Sequence, residues 1–246
     1  MLRDAIEVIK YSGLADVFEP EDQTWEGGRR YNKRRRRDGG VKQGKGNMTY
    51  ANGDVYEGDF VNETRQGKGK YTWADGRVYE GDFVNDQMHG KGKLTWAEGD
   101  VYVGDFVNEK MQGKGKLTSA DGRVYEGDFV NDQRQGKGKI VCDNCEYVYE
   151  GDYMHDIEHG KGKYTWVDGQ IYEGDIVINN MQGKGKLTWA DGRVYEGDFM
   201  SDEIHGKGKM TYPTGLVEEG DWIDGEMQEK GRMTSASEGQ QVDLSQ

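Results

Sequence analysis

Apolar and polar positions alternate along this chain with a period of two. From Tyr79 onward, Tyr79, Gly81 and Phe83 alternate with Glu80, Asp82 and Val84. Gly90, Gly92, Leu94 and Trp96 then alternate with Lys91, Lys93 and Thr95. That is the period of a strand, not of a helix. Between the two runs, Asn85-Asp86-Gln87-Met88-His89 is polar and turn-like. The pattern predicts a hairpin with Phe83 opposite Gly92, Gly81 opposite Leu94 and Tyr79 opposite Trp96. On its other face Asp82 meets Lys93 and Glu80 meets Thr95. Glycines opposite rings make room for the rings to lie over the backbone.

The same pattern recurs down the chain. Its Gly-Lys-Gly step begins at Gly44, Gly67, Gly90, Gly113, Gly136, Gly160, Gly183 and Gly206, spaced by 23 residues except for one step of 24. A fixed period of this size marks a repeat array. Successive units are joined by Ala-Asp-Gly or a close variant, with Gly53, Gly76, Gly99, Gly122, Gly169, Gly192 and Gly215 at the place where a tight turn needs positive φ. Short links make successive strands antiparallel neighbours. The fold expected is all-β: one elongated, single-layer antiparallel meander of hairpin repeats, solenoid-like and twisted. At about 4.8 Å per strand it spans on the order of 80 Å. The fifth link, Cys142-Asp143-Asn144-Cys145-Glu146, carries the extra residue and lacks the Gly, so a bulge or wider loop is expected there.

The residues YEGDF…GKG…ADG, at Tyr79–Phe83, Gly90–Gly92 and Ala190–Gly192, resemble the MORN repeat family. Seven full repeats begin at Tyr56, Tyr79, Tyr102, Tyr125, Tyr149, Tyr172 and Tyr195. A half repeat, Val41–Val55, precedes them. A worn eighth starts at Glu218 and keeps Gly220, Asp221 and Trp222, but has Glu229 in place of a glycine. Worn end units stop a solenoid from recruiting more strand. The resemblance implies elongated antiparallel sheets that scaffold cilia, basal complexes, division structures and membrane junctions. Some members of the family carry a lipid kinase or lysine methyltransferase domain. With the array at 41–235, residues 1–40 and 236–246 leave no room for one, and the resemblance implies a stand-alone scaffold, similar to the MORN-rich head proteins of ciliary radial spokes.

Charge narrows the partners. The net charge is -13, with residues 1–47 at +3 and the rest at -16. An acidic array is a poor binder of nucleic acid and is repelled on average by anionic membranes. The N-terminus, MLRDAIEVIK, has charges inside its apolar stretch and does not read as a secretory signal. No run reaches the ~20 apolar residues of a membrane span. Two cysteines form no disulfide framework, and a reducing, cytoplasmic setting, at the cytoskeleton or cilium, is expected.

Several residues invite chemistry. The lysines of Gly-Lys-Gly-Lys lack the Ser/Thr and the following helix of a phosphate loop. They bear on a second reading, a peripheral membrane adaptor for phosphoinositide or anionic lipid, but nearby carboxylates neutralise them, as Asp82 does Lys93. Cys142 and Cys145 lack the second ligand pair a structural zinc needs, with His155 and His159 at the far end of the hairpin. No cofactor is expected, and no nucleophile, base and acid converge, so no enzyme is expected. The basic run Arg34, Arg35, Arg36 and Arg37 is read as a solvated segment or a contact for an acidic protein surface.

The file of rings is the expected partner-binding surface: Tyr79, Phe83, Trp96, Tyr102, Phe106, Tyr125, Phe129, Tyr172, Trp189, Tyr195 and Phe199. A single-layer sheet is expected to leave this face partly bare, for a partner protein or a second copy to cover. The rings are also expected to pack on one another and hold the array together, and both readings can hold at once. At the ends, residues 1–18 suggest a short helix and 236–246 a disordered tail.

Overall fold

The computed structural model describes residues 24–27, 42–142, 145–228, 232–235 and 241–243. All the secondary structure among them is β, in a single antiparallel sheet whose strands pair with their neighbours in sequence, save that Leu216–Ile223 also pairs with Arg232–Ser235 past the short strand Glu226–Met227. The expected meander is therefore the fold. The expected N-terminal helix and the basic run Arg34–Arg37 lie outside the described residues. At the margins the sheet reaches past the array limits read from sequence. Thr24–Gly27 pairs with Gly46–Thr49, and Gln241–Asp243, inside the stretch expected to be disordered, pairs with Arg232–Ser235.

Each unit is a hairpin such as Val78–Val84 with Gln87–Thr95. Its turn has two residues, not five. Asn85 and Asp86 both take positive φ, 49° and 67°, the type I′ geometry that matches the twist of paired strands. The closing pair is Val84 with Gln87, followed by Phe83 with Met88 and Asp82 with His89. Gly90 and Lys91 then bulge out, and pairing resumes with Gly81 opposite Gly92, Glu80 opposite Lys93 and Tyr79 opposite Leu94. The expected register is thus displaced by four residues next to the turn and by two beyond the bulge. Gly90 at φ 65° is the reason, because it lets the strand absorb the offset that the short turn creates.

The links between units follow the glycine pattern. Gly99 stands at φ 102°. Trp96 N–H donates to the Asp100 carbonyl at 2.9 Å, and Gly99 N–H donates to the Trp96 carbonyl at 3.0 Å. The fifth link differs as expected: strand pairing stops at Ile140 with Tyr149, leaving a wider connection.

The core is a single file of rings lying on backbone. Tyr79 lies over Gly81 and Gly92 of its own hairpin. It meets Phe83 edge-on at 5.1 Å and Phe106 of the next unit at 5.1 Å. Its hydroxyl donates to the Asp82 carbonyl at 2.9 Å. Tyr56, Tyr102, Tyr125 and Tyr195 repeat the arrangement of a ring held edge-on from both sides, Ile176 takes the place of one ring beside Tyr149 and Tyr172, and all six tyrosines are buried. Burial pushes the phenol of Tyr56 up to about 12, so the hydroxyl stays a donor. Each edge-to-face pair adds about 0.5–1.5 kcal/mol beyond area burial, and the pairs couple each unit to the next.

Candidate interaction surface

The two faces of the ribbon differ completely. On the charged face, residues between the ring positions form two parallel rails. One links neighbouring hairpins: Lys68–Asp82 at 2.7 Å, Lys91–Asp105 at 2.6 Å, Lys114–Asp128 at 2.7 Å, Lys137–Asp152 at 2.6 Å and Lys184–Asp198 at 2.6 Å. The other alternates Glu and Lys: Lys70–Glu80 at 3.4 Å, Lys116–Glu126 at 2.7 Å and Lys163–Glu173 at 2.7 Å. The expected partnership of Lys93 with Asp82 is corrected. The shifted register sets Lys93 opposite Glu80 and leaves Asp82 to Lys68. Hydrogen bonds from Lys161 and Lys184 hold the Asp175 and Asp198 carboxyls below the usual range. Such exposed pairs contribute little each, about 0–1 kcal/mol. Their effect is to order a continuous polar surface.

Between the rails the floor is bare backbone, because the positions there are glycines whose space on the opposite side is taken by tyrosine. Gly81, Gly92, Gly104, Gly115 and Gly127 floor one stretch of about 770 Å³. Gly127, Gly138, Gly151, Gly162 and Gly174 floor the next, of about 740 Å³. The Gly-Lys-Gly lysines stand on strands as walls of this trough.

On the aromatic face the structure brings all eleven residues expected to bind a partner into one ordered array, but not as a bare surface. Tyr79, Phe83, Tyr102, Phe106, Tyr125, Phe129, Tyr172, Tyr195 and Phe199 are buried, and only Trp96 and Trp189 are half-buried. The expectation of an uncovered ring face is corrected: glycine under each tyrosine lets the ring sink into its own sheet. What remains accessible is a second row that sequence reasoning did not isolate. It comprises Tyr50, Trp73, Trp96, Trp166, Trp189 and Tyr212, half-buried at the strand ends. The signal was present as the residue before each Ala-Asp-Gly link.

Polar residues interrupt the core at two places. Arg65 stands where other units have Met88 or Met111, with its guanidinium 4.7 Å from the Tyr71 ring centre and its Nε 3.2 Å from Asp86. Arg134 and Glu158 form the second break. The buried Glu158 accepts a 2.6 Å hydrogen bond from Tyr164. Cys142 and Cys145 are joined as a disulfide across a Cα separation of 5.3 Å. Two cysteines make no framework, but this pair closes the fifth link at a separation that suits a bridge. His155 and His159 do not approach it: His155 hydrogen-bonds Gln133 at 3.1 Å. No cluster of His, Cys, Asp and Glu suited to a metal is found among the described residues.

The family model described as "MORN repeat" matches nine times, at residues 38–55, 56–76, 79–101, 102–122, 125–144, 149–171, 172–192, 195–217 and 219–240. No curated protein matches the chain. Among solved structures, the chain is similar to the TCP10 domain of Danio rerio CPAP, at 15% identity and TM-score 0.44, covering 72% of this chain and 84% of that one. It is also similar to the SAS-4 (dCPAP) TCP domain of Drosophila melanogaster, solved with a proline-rich motif of Ana2, at 14% identity and TM-score 0.41, covering 70% of this chain and 98% of that one. Neither likeness is close enough to carry function.

Proposed function

This chain belongs to the MORN repeat family, and we propose that it is a non-enzymatic scaffold of a cytoskeletal or ciliary, axonemal assembly, binding partner proteins along its length. The observation that supports this most is the glycine-floored trough, continuous from Lys68 to Gly174 between rails of paired charges. Exposed backbone flanked by ordered charge suits an extended protein segment, which supplies side chains to the rails and needs no deep cavity. The trough lysines are matched by Asp and Glu, which weighs against strong attraction to an anionic lipid surface. Nothing in the repeating surface concentrates a nucleophile with a base, and the reading is of an interaction module.

Crosslinking of the full chain in native extract, read by mass spectrometry, tests the proposal. The expected result is a set of crosslinks from Lys68, Lys91, Lys114 and Lys137 to one or a few cytoskeletal proteins, lost on replacing Lys91 and Lys114 by Glu. Pelleting with phosphoinositide vesicles and no protein crosslinks would overturn it.

A further inference from the structure

The accessible aromatic row has a gap. One residue per unit occupies this row, and Ser119 and Cys142 stand where the other units have Trp or Tyr. Beside the gap the apolar side chains are less covered than their counterparts. Leu94, two residues before Trp96, is 8% exposed, and Leu187, two before Trp189, is 7% exposed. Leu117 and Ile140, two before Ser119 and Cys142, are left half-buried. Tyr71 is also half-buried despite Trp73, but its hydroxyl reaches out to bond Asp54 at 2.7 Å.

Beside Ser119 stands Arg123, whose own unit supplies no ring for it, with the half-buried Tyr147 of the next unit within reach of its charge. Arg77 lies 4.8 Å over Trp73 and Arg193 4.9 Å over Trp189. Arg123 occupies the same place in its unit. The turn is the same: Ser119 N–H donates to the Arg123 carbonyl at 2.8 Å, as Trp73 and Trp189 donate to Arg77 and Arg193 at 2.9 Å. The Asp clamp is the same too, with Arg123 Nε 2.8 Å from Asp121 Oδ2. Arg123 is nevertheless 57% exposed, against 32% for Arg77 and 39% for Arg193. An arginine in this place, with Ser119 where its counterparts have a ring and the half-buried Leu117 and Ile140 on the same face, is a ready seat for a ring.

We propose that this gap receives an aromatic side chain, Trp or Tyr, of a partner protein, stacked beneath Arg123 and against Leu117 and Ile140. The inference rests on the scaffold reading and names one anchor within it. Asp121 already answers the charge of Arg123, so the free face of the guanidinium favours a π surface over a further carboxylate. A ring also covers Leu117 in the way Trp96 covers Leu94. We assign the ring to another protein and not to the repeats of a second copy, because the described rings of the repeats are buried or half-buried in their own sheet. Rings seated in preformed pockets are the usual anchors of protein interfaces.

The test uses the full chain, methyl-labelled at Leu and Ile, with N-acetyl-tryptophanamide as the probe in NMR titration. Saturable shifts are expected at Leu117 and Ile140, with Leu94 and Leu187 unmoved. Ser119→Trp restores the row, and should abolish those shifts while raising Tm by a few degrees. Arg123→Ala, an exposed change that leaves the fold intact, should weaken the probe at least fivefold. Shifts that fail to saturate, that appear equally at Leu94, or that survive Ser119→Trp overturn the proposal. In the crosslinking experiment, Ser119→Trp should reduce partner capture severalfold. Unchanged capture with the trough crosslinks intact overturns the anchor and leaves the scaffold reading standing. Loss of trough crosslinks in the unsubstituted chain overturns the scaffold reading itself.

Discussion

The ring of Tyr79 occupies the space that a side chain on Gly92 would need: a Cβ built on Gly92 lies 2.6 Å from Tyr79 Cζ. The ring cannot retreat, since Phe83 and Phe106 hold it edge-on from both sides at 5.1 Å. Gly81 and Gly92 are also opposite each other, and a Cβ on Gly81 would lie 2.7 Å from Gly92 Cα. The glycines are therefore a packing requirement of the fold, with tyrosine and glycine forming one unit of structure.

Gly92→Ala should cost about 2–3 kcal/mol, at the upper part of the range for overpacking a filled site. Lys91→Ala, one residue away on the exposed rail, should cost less than about 1 kcal/mol. Urea denaturation of both variants checks the contrast. Hydrogen exchange should show the Gly92→Ala loss concentrated in residues 78–107, because a repeat array is stabilised by contacts between neighbouring units.

Arg65 tests whether a charged residue in the ring file works through packing or through its charge. Its stem and guanidinium lie against Tyr56, Tyr71 and Phe83. Asp86 keeps a hydrogen bond from the Arg65 backbone N–H at 2.8 Å, the same bond that Met111 N–H makes to Asp132. Arg65→Met, the residue of sister units, should fall within about 1 kcal/mol of the parent, because shape is conserved. Arg65→Ala should cost about 2–4 kcal/mol, because it opens a cavity among the three rings. Thermal melts of the two variants separate the possibilities.

Much of this was legible in the sequence. The period of two, the 23-residue repeat and the Ala-Asp-Gly links dictated a meander, and the ring positions dictated its core face. The register was not legible, because the two-residue turn at Asn85-Asp86 and the bulge at Gly90-Lys91 offset each other. Reading Asn85–His89 as one turn moved the pairs beyond the bulge by two residues and those next to the turn by four. That the rings lie over glycine backbone was legible; how completely this buries them was not, because it depends on Tyr79 lying over glycines of both strands of its hairpin at once. The gap at Ser119 and Cys142 was visible only by aligning units on the residue before each link, where two small side chains in succession break a column of rings.

Glu158 makes stability depend on pH. Burial pushes its carboxyl above the ordinary 4.5, with the hydrogen bond from Tyr164 and the charge of Arg134 pulling back only in part. The folded chain therefore holds this proton more tightly than the unfolded chain. The associated stability is fully present below the unfolded value and is lost as pH rises from about 4.5 through the higher folded value. Glu158→Gln keeps an acceptor for Tyr164 and removes the titration. It should stabilise the array by on the order of 1 kcal/mol at pH 7 and make little difference near pH 4. The measurement is the difference between the two melting curves across pH. Asp175 and Asp198, whose carboxyls are held low, act in the opposite sense in both proteins and cancel.

One turn contradicts its neighbours. The first turn residue is Asn62, Asn85, Asn108 and Asn131 in four units, all at φ 49°. In the sixth hairpin it is Ile178, at φ 52° and exposed to solvent. A β-branched side chain in the left-handed region crowds its own backbone, at a cost of about 1–2 kcal/mol, whereas Asn tolerates that region. Nothing offsets the strain through packing, since the side chain faces water. Ile178→Asn should therefore stabilise the protein by about 1 kcal/mol, read as a rise in Tm and slower exchange of the Val177 and Asn180 amides that close the hairpin. The reverse change, Asn85→Ile in a sound unit, should cost a similar amount. Equal stability of all three proteins would mean that the turn relaxes out of the left-handed region when Ile is present, and that the strands rather than the turn residues fix the two-residue register.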